Sequence, residues 1–354
     1  MGTGQAVVVY GAYGHTGRFV VAHLRERGFV PLLSGRDAAA LGALADSFPG
    51  ADVRPASVGD PASLDRALSG AAAVINCAGP FAATAAPVIE AALRAGIPYV
   101  DVAAEIEANA DTFAHFAERA REAGVAVVPA MAFFGGLGDL LITAAMDEWT
   151  DADEAHIAYG LSSWHPTAGT RAAGAVSRER RGGRRVRYAG GRLEYRTDEL
   201  PRLKWDFPEP LGTRAVVGEF SMADIVTVPS HLSVPEVHSY MTAEAAGDVV
   251  APDTPAPAAP AVDAADAADA ADGRGRSDQT FLVEAVVRRG GDERRAVARG
   301  QDIYAVTAPL AVEAVSRLLT GDARSPGVAS AAAAFDAPDF LHALAPHVSW
   351  DLYR

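Results

Sequence analysis

Gly11, Gly14 and Gly17 stand in the segment Gly11-Ala12-Tyr13-Gly14-His15-Thr16-Gly17, between a run of three valines and an amphipathic stretch. Glycine lets a backbone turn tightly and approach a pyrophosphate, whose charge is met by free N–H groups opening the next helix. Tyr13, His15 and Thr16 lie inside the same turn, so Gly11, Tyr13, Gly14, His15, Thr16 and Gly17 are all candidate dinucleotide contacts. About twenty residues further on, an acidic side chain would take ribose hydroxyls in an NAD binder. Arg36 stands there instead. A guanidinium grips a 2'-phosphate bidentately and stacks on adenine, so NADP(H) is the expected cofactor. Asp37 either joins that contact or caps the following helix.

Three more segments carry polar groups where chemistry needs them. Ala78, Gly79, Pro80 and Phe81 follow a hydrophobic run through a Gly-Pro break and are expected to border the ribose and nicotinamide. Cys77 before them reads as a buried small hydrophobe, not a nucleophile. The glycine-rich stretch 130–139 is expected to press backbone, with Phe133, against the nicotinamide side. Asp139 at its end is either a site group or the cap of a helix over 140–149. Residues 159–171 bring together Tyr159, Trp164, His165 and Arg171. His165 titrates near neutrality and is the first candidate proton donor, with Tyr159 and Asp139 next. Arg171 suits a substrate anion, and Phe133 and Trp164 a substrate wall. The alternative keeps Trp164 in the core, Thr167 as a helix cap and His165 on the surface.

Positioning such groups calls for an α/β fold. The first third alternates short apolar runs at 6–10, 31–34, 52–56, 73–77, 99–102 and 125–129 with helical stretches at 16–27, 38–47, 61–68, 84–95 and 108–123. That alternation predicts an N-terminal Rossmann-type parallel sheet with helices on both faces. Asp60-Pro61 reads as a helix start, and Gly28, Gly96 and Gly124 as helix ends. Beyond it, strand-like segments at 156–162, 185–195, 220–228, 237–244, 281–288 and 294–300 and a helix at 170–180 predict a second α+β domain with a mainly antiparallel mixed sheet. The expected domains are residues 1–138 for the dinucleotide, 139–303 for substrate and dimerisation, and 304–354, with helices at 308–319 and 338–344, returning to the first domain. Residues 246–278, rich in Ala, Pro, Asp and Gly, read as a low-complexity surface loop.

Composition narrows the partners. With 31 Lys+Arg against 45 Asp+Glu, the net charge of −14 repels nucleic acid and anionic membrane, leaving a small-molecule substrate. Arg178, Arg180, Arg181, Arg184, Arg185 and Arg187 read as a solvated helix-to-strand connection. A single cysteine, Cys77, allows no internal disulfide, and residues 1–5 show no leader pattern, so a cytoplasmic location is expected. No metal site is expected. No apolar run of about eighteen residues offers a membrane span. The only lysine, Lys204, excludes a Tyr-x-x-x-Lys pair, and neither His-Glu-x-x-His nor Gly-x-Ser-x-Gly occurs.

Through 9–18, Ser34-Gly35-Arg36-Asp37, 76–81, Tyr99-Val100-Asp101 and Gly135-Gly136-Leu137-Gly138-Asp139, the chain resembles the saccharopine dehydrogenase-like family of NAD(P)-binding oxidoreductases. That family includes saccharopine reductases and trans-acting enoyl reductases. The resemblance covers residues 5–145, and 304–308 is similar to the family's closing segment. It implies a Rossmann domain with a mixed-sheet partner, frequent homodimers, and hydride transfer to a C=N or C=C bond. Two other functions fit the same residues: a redox-neutral cyclase or isomerase that retains NADP(H), and a regulator that senses NADP(H) without turnover.

Overall fold

The computed structural model describes residues 4–258, 260, 276–324 and 326–353. The N-terminal part runs β1 (Ala6–Tyr10), α1 (His15–Glu26), β2 (Val30–Gly35), α2 (Ala38–Asp46), β3 (Asp52–Pro55), α3 (Pro61–Leu68), β4 (Ala73–Asn76), α4 (Phe81–Ala95), β5 (Tyr99–Asp101), α5 (Ile106–Glu122) and β6 (Ala126–Val128). Val7, Val8 and Val9 of β1 have no exposed surface, as a central strand covered on both faces requires. Gly28, Gly96 and Gly124 follow α1, α4 and α5 with positive φ and end those helices.

The second part comprises α6 (Gly138–Met146), β7 (Glu154–Leu161), α7 (Ala168–Arg180), β8 (Arg185–Ala189), β9 (Arg192–Arg196), β10 (Arg202–Asp206), β11 (Thr213–Gly218), α8 (Asp224–Thr227), β12 (Glu236–Thr242), α9 (Ala243–Val250), β13 (Thr280–Arg289) and β14 (Asp292–Gln301). The chain closes with α10 (Thr307–Thr320), β15 (Gly327–Val328), α11 (Ala331–Ala334), α12 (Ala337–Ala343) and β16 (Val348–Tyr353).

Two sheets result. The first is seven-stranded and all parallel, in the order β15-β6-β5-β4-β1-β2-β3. The second runs β10-β11-β12-β7-β13-β14-β16, with the β8–β9 hairpin attached to β12, and only its β12–β7 pair is parallel. One continuous apolar core joins them, from Val7 and Ile75 to Tyr159 and Val283.

Several expectations for the second half change. Residues 185–195 form a hairpin, because Gly190 and Gly191 both take positive φ and turn the chain between β8 and β9. Residues 220–228 are not a strand: buried Asp224 bonds Tyr159 and Gly135 and draws the segment into the short helix α8. The stretch 246–278 is not a loop from its start, since Ala245 and Ala246 are buried within α9; residues 261–275 lie outside those described. The closing segment serves both sheets, with β15 beside β6 and β16 beside β14. Among the described residues no helix is long and apolar enough to cross a membrane.

Candidate functional site

A cavity of about 1500 Å³ lies along the carboxyl edge of the first sheet, facing α7 and Trp164 of the second part. Its floor begins at the turn between β1 and α1. Gly11 takes φ +85° there, and a Cβ on it would stand 2.8 Å from the Ala78 nitrogen, so the turn presses directly on the chain leaving β4. Gly17 sits behind the wall: a Cβ there would collide with the Gly11 carbonyl oxygen and lie 2.9 Å from that of Ala12. Gly14 caps α1 without a side-chain hydrogen bond, leaving the first-turn N–H groups free for an anion. The Tyr13 ring lies over Gly35, and Arg36 beside it lines the cavity.

His15 opens α1 and lines the cavity, its ring edge-on to Phe19 and Tyr304. Burial lowers its pKa, so the ring is neutral at pH 7, and its Nε2 is buried without a hydrogen-bond partner. Tyr304 ties the closing segment to the start of α7: its hydroxyl accepts from Trp164 Nε1 at 3.0 Å and from the Thr167 N–H at 3.3 Å.

The exits of β4, β5 and β6 are held by a polar knot that sequence reasoning did not assemble. Asp101, 1% exposed, accepts from the Tyr99 hydroxyl at 2.8 Å and from the N–H groups of Ala103 at 3.0 Å and Ala130 at 2.8 Å. Asn76 donates to the same Tyr99 hydroxyl and accepts from the Ala78 N–H. Burial raises the Asp101 pKa, against the pull of the two N–H groups. Glu105, also missed, accepts from the N–H groups of Phe81 at 2.7 Å and Ala82 at 3.1 Å and so closes the start of α4. Only a helix start facing it in space marks that role, and no sequence spacing does. Ala78, Gly79 and Phe81 line the cavity, whereas Pro80 stands behind them as the α4 cap. Cys77 lines it too, and burial pushes its thiol pKa up, keeping it protonated.

The expected catalytic groups are corrected. The His165 ring is exposed and outside the cavity wall; only its backbone carbonyl takes part, accepting from Tyr304. Tyr159 has no exposed surface and donates to Asp224 at 2.7 Å, with its pKa driven well up by burial beside that carboxylate. Asp139 neither caps α6 nor faces the cavity. It sits inside the first turn of α6, where it accepts from His231 Nε2 at 2.7 Å and from the Ala332 N–H at 2.8 Å, stapling α6 to α11. Asp37 caps α2 through the N–H groups of Ala39 and Ala40 and does not line the cavity.

The expected substrate wall is present in part. Phe133 lines the cavity, and Trp164 stacks on Phe134 with centroids 5.0 Å apart. Arg171 also lines it, donating to the carbonyls of Ala251 at 3.3 Å and Thr254 at 2.8 Å. Arg178, Arg181, Arg184 and Arg185, expected on a solvated connection, line the same cavity.

Residues 7–128 match the saccharopine dehydrogenase NADP binding domain family. A probable mitochondrial saccharopine dehydrogenase-like oxidoreductase of Arabidopsis thaliana is 31% identical over 142 residues, which is 36% of this chain and 31% of that relative's length. Over 99% of this chain and 100% of the other, the fold superposes on a saccharopine dehydrogenase (L-Glu forming) of Saccharomyces cerevisiae, with a TM-score of 0.64 at 13% identity. Residues 7–128 are thus similar to the NADP binding domain of saccharopine dehydrogenases, and the chain as a whole shares the fold of that yeast structure.

Proposed function

We propose that the protein is an NADP(H)-dependent oxidoreductase that reduces a C=N or C=C bond of a small molecule lying between the first sheet's carboxyl edge and α7. The observation that carries this reading is the unbroken cavity from the glycine turn and Arg36 to Trp164 and α7. A side-chain-free cradle at Gly11, the uncapped start of α1 and the orphaned Nε2 of His15 fit a dinucleotide. Gly11, Gly14 and the first turn of α1 would hold its pyrophosphate, Arg36 its 2'-phosphate, and Ala78 to Phe81 its ribose and nicotinamide end. When bound, NADPH supplies the hydride.

The chain's own residues orient and shield. Asp101 and Glu105 fix the loops after β5 and β4, while Trp164 and Phe134 present an apolar face that excludes water from the reacting bond. His15, neutral and with an unspent Nε2, is the titratable group placed to hydrogen bond within the turn, and the acceptor atom receives its proton from there or from water. A homodimer and a cytoplasmic location belong to the same reading, to be checked by sedimentation and by fractionation.

The test follows NADPH absorbance at saturating protein with panels of imines and of α,β-unsaturated acyl compounds, alongside NADPH binding. Oxidation coupled to reduction of one panel supports the reading. Product formed with NADPH unchanged points to a redox-neutral reaction, and binding without any product points to a sensor.

A further inference from the structure

We propose that the arginine-rich end of α7 recognises an anionic end of the substrate, which is an amphipathic molecule with a carboxylate or phosphate at one pole and an apolar body. This rests on the oxidoreductase reading for the word substrate, but its evidence is separate. The cavity follows the sheet's edge, with Arg36 and Ser57 after β2 and β3 at one end and Glu105 and Ile106 after β5 at the other. The far end is the one that α7 crosses. Arg180 reaches Asp111 of α5 at 2.7 Å, and Arg181 approaches Glu107 of the same helix at 3.5 Å. The arginines at the C-terminal end of α7 therefore stand away from the place where Arg36 awaits the cofactor phosphate.

Their charge is only partly neutralised. Arg185 is paired with Asp198 and Glu219, and Arg181 shares Glu107. Arg171 is held by backbone carbonyls, and Arg184 lies over the Tyr195 ring at 4.8 Å, neither contact supplying a negative charge. Among the described residues no hydrogen bond or ion pair holds the Arg178 guanidinium. Against these three cations the lining offers Glu105, spent on two N–H groups, Glu219, spent on Arg185 and Arg187, and Glu179. In a chain of net charge −14, this is a local positive excess inside a concave wall, where field lines are focused on an entering anion.

The same helix also borders an apolar path. Along the cavity α7 presents Ala173, Gly174 and Ala175, side chains no larger than a methyl, and Phe81, Phe220 and Met222 also line the space. Room and apolar surface thus run from the nicotinamide end to the arginines. A chain-like body lies along that path with its charged end at Arg178 and Arg184.

The experiment is isothermal titration of the full chain with octanoate, octyl phosphate and 1-octanol, without cofactor, with NADPH binding measured on the same preparation by nicotinamide fluorescence. At least tenfold tighter binding of either anion than of 1-octanol is expected, and the tighter anion names the polar group. Arg178→Ala with Arg184→Ala should reduce that preference to about threefold or less, and Arg178→Lys with Arg184→Lys should restore part of it. Both double variants replace exposed side chains, and equal melting temperatures certify their folds. Equal affinity for the three probes, no binding of either anion, or a preference that survives both alanines overturns the proposal. Failure of NADPH to bind overturns the oxidoreductase reading alone, since the anion titrations contain no cofactor.

Discussion

Replacing Asp224 with Asn should remove a specific pH dependence of stability. Asp224 is fully buried, and burial pushes its carboxyl pKa up to about 6, against the lowering effect of the Tyr159 hydroxyl and the Gly135 N–H. In the unfolded chain the value returns to 3.8. Between those values the folded chain keeps a proton that the unfolded chain releases, so stability falls as pH rises. The contribution is fully present below about pH 4 and is lost as pH passes through about 6. A rise of roughly two units at about 1.4 kcal/mol each corresponds to about 3 kcal/mol. Asparagine keeps an acceptor toward Tyr159 and Gly135 but cannot ionise. Urea unfolding of both proteins at pH 4, 5, 6 and 7 gives the difference free of every other titrating group. The variant should gain about 3 kcal/mol on the wild type between pH 4 and pH 7. A difference constant across that range would refute the raised carboxyl, and a drift in the opposite direction would mean that Asp224 is held ionised.

Three shorter tests address the cofactor end and the corrected acid. Arg36→Ala should narrow a preference for NADPH over NADH by about 1.5 to 3 kcal/mol, read as the ratio of dissociation constants; an unchanged ratio removes Arg36 from the 2'-phosphate. Gly17→Ala forces α1 away from the turn that its Cβ would strike, and should cost about 1 to 3 kcal/mol of stability and weaken NADPH binding; undiminished affinity would place the pyrophosphate elsewhere. His165→Ala should leave NADPH oxidation unchanged, because the ring is exposed and outside the cavity wall. A fall of roughly 10²- to 10⁴-fold in turnover would return His165 to the role of proton donor.

The first sheet was legible because its demands are local. Val7 to Val9 announce a doubly covered strand, Gly14 and Gly17 answer backbone clashes that arise within seven residues, and Gly11 answers one with the chain leaving the neighbouring strand β4. Asp224 shows the opposite case. Residues 220–228 alternate as a strand would, yet burying one carboxylate beside Tyr159 and Gly135 outweighs that pattern and makes a short helix. Asp139 and His165 were misread for a related reason. A polar residue beside a glycine-rich loop or a strand end looks functional in sequence, but its partner decides, and Asp139 finds His231 and Ala332 from distant segments.

The arginine run carries this furthest. In sequence, six arginines between residues 178 and 187 beside two glycines describe a solvated turn, and Arg180, paired with Asp111 on the surface, behaves as one. Arg180 and Arg181 are adjacent and both reach α5, and this contact lays the end of α7 across the cavity. Once α7 is fixed there, Arg178, one helical turn before its neighbours, faces the same space without a carboxylate to neutralise it. A charge pattern specifies a solvated face only while nothing packs across it. Here the packing of α7 on α4 and α5 sets part of that face along the cavity, and the chain's net negative charge makes the cations lining it the local exception that an anionic ligand would find.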